Sequence, residues 1–337
     1  MTYNSIPNVN RQNYLRFCQE RTIKKTSSGL GFFIFAYLAS RYATSIAFGI
    51  LFGAASVKSI DTISMFYLEI FISVFSAFIP GLFYFLFSGR NMSDTIKTSY
   101  VRQKELWALV FIGMAVAMVA NTASGMVQTN FSFFGLENAV SMSEDVSNSS
   151  EIVLYIILTA IVPAFAEEFA FRGILMGTLR KFGDSFVIIT SAIIFGAMHG
   201  NIAQIPFAFI LGLVLAYVDC KTNSILPSII IHFLNNFYAV VLDILQSTQV
   251  FNDRIFMRIY FILIASFCIL GLISFFYLII KDKNYFRISD KSIHQSDNQI
   301  SNLLTFKEKM KAFFINPGIL FVLSVFVLET ATSFKVV

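Results

Sequence analysis

Long apolar runs alternate with short polar ones along this chain. The apolar stretches cover about 30–54, 63–88, 106–127, 151–167, 185–201, 203–219, 224–243, 256–280 and 313–334. A bilayer-spanning α-helix needs roughly 20 predominantly apolar residues, and these stretches cluster around that length. The pattern therefore predicts an all-α, polytopic membrane helical bundle with about nine transmembrane helices. Between the fifth and sixth stretches, residues 200–204 leave room only for a tight turn. Pro227 falls in the first turn of the seventh, where a missing N–H is tolerated. The divisions predicted are an N-terminal segment (1–29), a membrane domain (30–280), a polar connector (281–312) and a last helix (313–337). The connector and last helix look like an appendage to the domain before them.

Charge orients the bundle. Arg11, Arg16, Arg21, Lys24 and Lys25 precede the first span, and Arg90, Lys97, Arg102 and Lys104 follow the second. Arg172, Arg180 and Lys181 follow the fourth, and seven Lys or Arg residues lie in the connector. Segment 128–150 has no Lys or Arg and carries Glu137, Glu144 and Asp145. Nine spans put every basic loop on one side, which predicts a cytoplasmic N-terminus. Residues 1–29 lack the apolar core of a cleavable signal, so the first helix is expected to insert and remain.

Composition agrees. Hydrophobic residues make up 56% of the 337, and charged residues 13%, against roughly 25% in a soluble domain. The net charge of +5 is spread over loops. Nucleic acid needs a clustered basic face, so it is excluded as a partner. Cys18, Cys220 and Cys268 have neither CxxC nor Cys/His zinc spacing and read as unpaired thiols. Oligomeric state is left open.

Polar residues inside apolar runs are the candidates for chemistry, because each is costly in lipid unless paired or wet. Arg41 and Glu69, in the first two spans, either pair or serve packing separately. Three further islands stand out. They are Glu167-Glu168-Phe169-Ala170-Phe171-Arg172, Phe195-Gly196-Ala197-Met198-His199-Gly200 and His232-Phe233-Leu234-Asn235-Asn236. The last two hold two of the three histidines.

Helix geometry sorts these residues. Glu168 and Arg172 are four apart and share a face, with the glutamate on the favourable N-terminal side. Glu167 points about 100° away and has no local cation, which suits a general base. Both glutamates read equally well as a structural charge cluster. Gly196 and Gly200, like Gly173 and Gly177, have the spacing that lets another helix approach closely. His199 alone reads as readily as a hydrogen-bonded structural residue. His232 and Asn236 share a face and could donate jointly to one oxyanion, or clamp two helices. Counting residues leaves His199 up to about 10 Å from Glu167 in depth. A tilt, or a broken or re-entrant segment around a wet or protein-lined cavity, is needed to close that gap.

Together the islands resemble the CPBP family, the CAAX-protease and bacteriocin-processing (Abi) membrane enzymes. The family pattern Glu-Glu-x-x-x-Arg, Phe-x-x-x-His, His-x-x-x-Asn is met by Glu167, Glu168 and Arg172, by Phe195 and His199, and by His232 and Asn236. The resemblance covers about 150–245. It implies an eight-helix CAAX-protease-like core followed by a C-terminal helix without clear family counterpart. It also implies an intramembrane endopeptidase acting on membrane-associated peptides or proteins. Glu167 would activate water with help from His199, His232 and Asn236 would stabilise the oxyanion, and Glu168 and Arg172 would support them. No cofactor is favoured. A zinc-dependent version would use Glu167, His199 and His232. The competing readings are a non-catalytic, peptide-binding immunity or regulatory protein and a proton-relay transporter. The Phe-, Ile- and Asn-rich composition points to a bacterial cell membrane.

Overall fold

The computed structural model describes residues 8–52, 61–133, 136–138, 148–248, 251–288 and 303–336. Its main helices are α1 (Asn8–Phe52), α2 (Thr62–Ser88), α3 (Gln103–Phe133), α4 (Ser149–Phe182) and α5 (Asp184–Ala197). They continue with α6 (Gln204–Thr222), α7 (Leu226–Ser247), α8 (Asp253–Lys281), α9 (Phe306–Phe314) and α10 (Pro317–Thr332). A short antiparallel ladder pairs Leu136–Asn138 with Phe334–Val336.

The helical membrane bundle is as the apolar pattern predicts, but the count of nine is not confirmed. Among the described residues, α2, α3, α4, α6, α7 and α8 are long and apolar enough to cross a bilayer. A seventh span results only if α9 and α10, bent by 73° at their junction, are taken together. The fifth expected span is shorter than its apolar run. α5 has 14 residues, a rise of about 21 Å, against a hydrocarbon core of roughly 30 Å. α1 runs without a break from Asn8 through residue 29, so the N-terminal segment and the first apolar run share one helix. Arg41's side chain lies outside the described residues, so its expected pairing with Glu69 is not described.

The basic N-terminal segment is helical because it has a partner. Arg16 pairs with Glu308 at 2.5 Å and donates to the Leu303 carbonyl at 2.7 Å. The Leu304 N–H donates to Gln19 at 2.9 Å. A capping box, Thr305 with Glu308, starts α9. Lys309 Nζ, largely buried, donates to the Phe182 carbonyl at the end of α4, at 2.6 Å. Phe313, Ile319, Val322 and Phe326 then enter the same core cluster as Leu30, Phe33, Phe186 and Phe195. A second cluster joins α3, α6, α7 and α8, and a third joins α2, α4 and α7.

Close approaches occur where the sequence has glycine. Gly31 lies against Gly318 between α1 and α10, and Gly196 lies against Ile205 and Phe209 of α6. A Cβ at Gly177 would collide with the Thr95 carbonyl, whose segment is anchored to the α6–α7 turn through Ile225 N–H to Lys97 O at 2.9 Å. Gly177→Ala is expected to cost about 1–3 kcal/mol, seen as a lower thermal midpoint in detergent. Gly29→Ala, where nothing lies within 4 Å, is the control and should not destabilise.

Candidate active site

Four helices meet at the polar islands. α4 brings the two glutamates and Arg172, α5 brings Phe195 and leads to His199, α6 supplies a carbonyl, and α7 brings His232, Asn235 and Asn236. α4 is not a uniform α-helix. Residues Ile157–Ile161 and Phe169–Met176 are wide, π-helical turns, with Val162–Glu168 α-helical between them. Pro163 has no N–H to donate, and its ring crowds the carbonyl four residues earlier, so the turn before it widens. Glu167 and Glu168 thus sit at the end of a short α segment framed by two irregular ones.

Glu168 is at the centre. Its side chain is fully buried, and its Oε2 lies 3.2 Å from Arg172 Nε, the i, i+4 pair expected from sequence. Its Oε1 accepts from His232 Nδ1 at 2.8 Å. That bond puts the Nδ1 proton on His232 and turns Nε2 towards Glu167, whose Oε2 is 3.9 Å away. Glu167 Oε2 is buried and has no hydrogen-bond partner, although the side chain as a whole stays 19% exposed. At 3.9 Å the two atoms are too far apart for a direct hydrogen bond and close enough for one water to bridge, donating to the carboxylate. Arg172 is held by three neighbours: Glu168, the Gly212 carbonyl at 3.2 Å and the Phe195 ring, 4.4 Å from the guanidinium carbon.

Phe195 is the hub that the motif contained but sequence reasoning left without a role. Its ring meets His199 edge-on at 5.1 Å between centroids and His232 at 5.9 Å. Both imidazoles therefore flank one ring, which removes the difficulty over His199's depth. Of the two ways to close the gap, the chain uses an interrupted segment. α5 stops early, and the chain turns at Gly200, with φ +58°. Backbone groups in that turn have partners. Asn201 Oδ1 accepts from the Ala203 N–H at 2.9 Å, and the Ser124 hydroxyl donates to the Ala203 carbonyl. His199 Nδ1 donates to the Phe195 carbonyl, 2.8 Å away.

On α7, Asn235 Nδ2 donates to Asn236 Oδ1 at 3.1 Å. The contact orients the Asn236 carboxamide so that its N–H₂ group is the end left to donate. Asn235 is the more buried of the two. Another polar pair escaped the sequence. Arg180 is buried and bonded to Asp219 at 2.5 Å, joining the ends of α4 and α6. Asp219, an acid in an apolar run, was the available signal.

Zinc fits poorly. A catalytic zinc takes three protein donors. Among the described residues, no three His, Cys, Asp or Glu side chains converge as a ligand set.

Comparison with known proteins agrees with the resemblance drawn from the motifs. Residues 149–238 match the family of type II CAAX prenyl endopeptidases, Rce1-like. YdiL of Bacillus subtilis (strain 168), named as a membrane peptidase, is 26% identical over 224 residues, 63% of this chain and 88% of YdiL. The membrane-embedded CAAX protease MroQ of Staphylococcus aureus (strain USA300) is 27% identical over 147 residues, 42% of this chain and 58% of MroQ. The match thus spans little more than half of MroQ. No solved structure matches.

Proposed function

We propose that this chain, whose residues 149–238 match the Rce1-like CAAX prenyl endopeptidase family and whose relatives are named as membrane peptidases, is an intramembrane endopeptidase with a glutamate-activated water. The observation that carries this reading is the 3.9 Å span between Glu167 Oε2 and His232 Nε2. Glu167 takes a proton from the water, with His199 assisting, and the water oxygen attacks the scissile carbonyl carbon. The oxyanion accepts hydrogen bonds from Asn236 and from His232, an imidazolium that carries a proton on both ring nitrogens throughout the step. His232 can hold that charge because its Nδ1–H is bonded to the Glu168 carboxylate. Glu167 then returns the proton to the leaving nitrogen, the C–N bond breaks, and a carboxyl and an amino terminus are released.

The substrate is a peptide or membrane protein reached within the bilayer. The basic loops favour a cytoplasmic N-terminus in a bacterial cell membrane. The test is peptidomics of cells carrying the wild-type chain against His199→Ala. Fragments with new carboxyl termini should be present in the first and absent from the second. Identical fragment sets, or binding of peptides without any product, would leave a non-catalytic peptide-binding protein as the better account.

A metal-free mechanism predicts that cleavage by the purified protein keeps its rate after prolonged chelation. Loss of activity that added zinc restores would overturn this part of the reading.

A further inference from the structure

The last helix ends beside the turn that carries His199. A Cβ built on Gly200 would lie 3.3 Å from Glu329 Cβ and 3.6 Å from its Oε2. Glu329 is therefore separated from this turn by no more than the space a side chain at Gly200 would fill. Its other oxygen is held from α1, where the Tyr42 hydroxyl donates to Oε1 at 2.5 Å. The position is set by the core, because Phe326, one turn earlier, is buried with Val322 and Ile319.

Among the described residues, no Lys, Arg or His makes an ion pair with Glu329. Glu329 thus stands beside the His199 turn without matching positive charge among the described residues. A carboxylate on an apolar helix is costly unless it meets water or a cation. A tyrosine hydroxyl aims it but does not neutralise it.

We propose that Glu329 is a subsite for a lysine or arginine side chain of the polypeptide held at Glu167, His199 and His232. The subsite rests on the peptidase reading for the polypeptide it would bind, but its charge preference is measurable without turnover. The probe is a short apolar peptide with one lysine stepped along it. Each form is paired with its norleucine counterpart, which has the same carbon chain and no charge.

Binding is measured in nanodiscs to the Glu167→Gln protein. At one or two positions, lysine should bind roughly threefold to tenfold more tightly than norleucine, the range for a partly exposed ion pair. Glu329→Gln, which keeps an acceptor for Tyr42, should erase that difference and leave the norleucine peptides unchanged. Glu329→Lys should instead favour a glutamate at the same position, which separates charge recognition from a folding defect. Equal weakening of charged and uncharged peptides by Glu329→Gln would make Glu329 a support for the His199 turn and overturn the proposal. So would the absence of any lysine preference. Failure of the peptidase reading would appear elsewhere, as no cleavage of any peptide by the chain with Glu167 intact.

Discussion

Glu167→Gln is expected to lower peptide cleavage by about 10²–10⁴-fold, the contribution of a positioned general base. The carboxamide fills the same space but cannot take the water proton. The protein should remain folded, because Glu167 Oε2 has no hydrogen-bond partner to lose and the side chain belongs to no strong ion pair. The two measurements to set together are single-turnover cleavage and the thermal midpoint in detergent. A large fall in the first with little change in the second separates chemistry from folding. Undiminished turnover would remove Glu167 from the reaction and overturn the general-base assignment.

Arg172→Met should act in the opposite proportion. It strands the Glu168 carboxylate, which is fully buried and 3.2 Å from Arg172 Nε, and it also abandons the Gly212 carbonyl. Removing one partner of a buried pair costs about 3–5 kcal/mol. Both stability and activity should fall. Adding Glu168→Gln to the same protein removes the stranded charge and should recover much of the stability. Activity should stay low, because the carboxamide can still accept from His232 Nδ1 but no longer balances a charged imidazole. Thermal unfolding and cleavage rates of the wild type, both single variants and the double variant form the complete cycle. If the double variant were as unstable as Arg172→Met, packing of the guanidinium on Phe195, and not charge, would be the main contribution of this residue.

Much of this architecture was legible in one dimension, and the parts that were share a cause. Lipid allows few polar residues, so Glu167, Glu168, Arg172, His199, His232 and Asn236 were conspicuous before any coordinate was known. The Glu168–Arg172 pair followed from i, i+4 spacing because helix geometry is local. The apolar runs located six of the helices that can cross a membrane. They overstated α5, since a run of apolar residues does not reveal where a helix stops within it. They also gave no warning of the wide turns in α4, which depend on Pro163 being accommodated among neighbouring helices.

Pairings between distant segments were another matter. That Glu168 reaches His232, 64 residues away, depends on how α4 and α7 cross. Hydropathy carries no record of that crossing. The same is true of Phe195 standing between the two imidazoles, of Arg180 meeting Asp219, and of Glu329 returning from the last helix to Gly200. The chain's own order determined that this is a helical membrane protein and which few side chains are too polar to be there without reason. Only tertiary packing decided which of them touch. Burial energy is spread over many interchangeable apolar contacts, whereas a hydrogen bond or ion pair requires two particular atoms to be brought within about 3 Å.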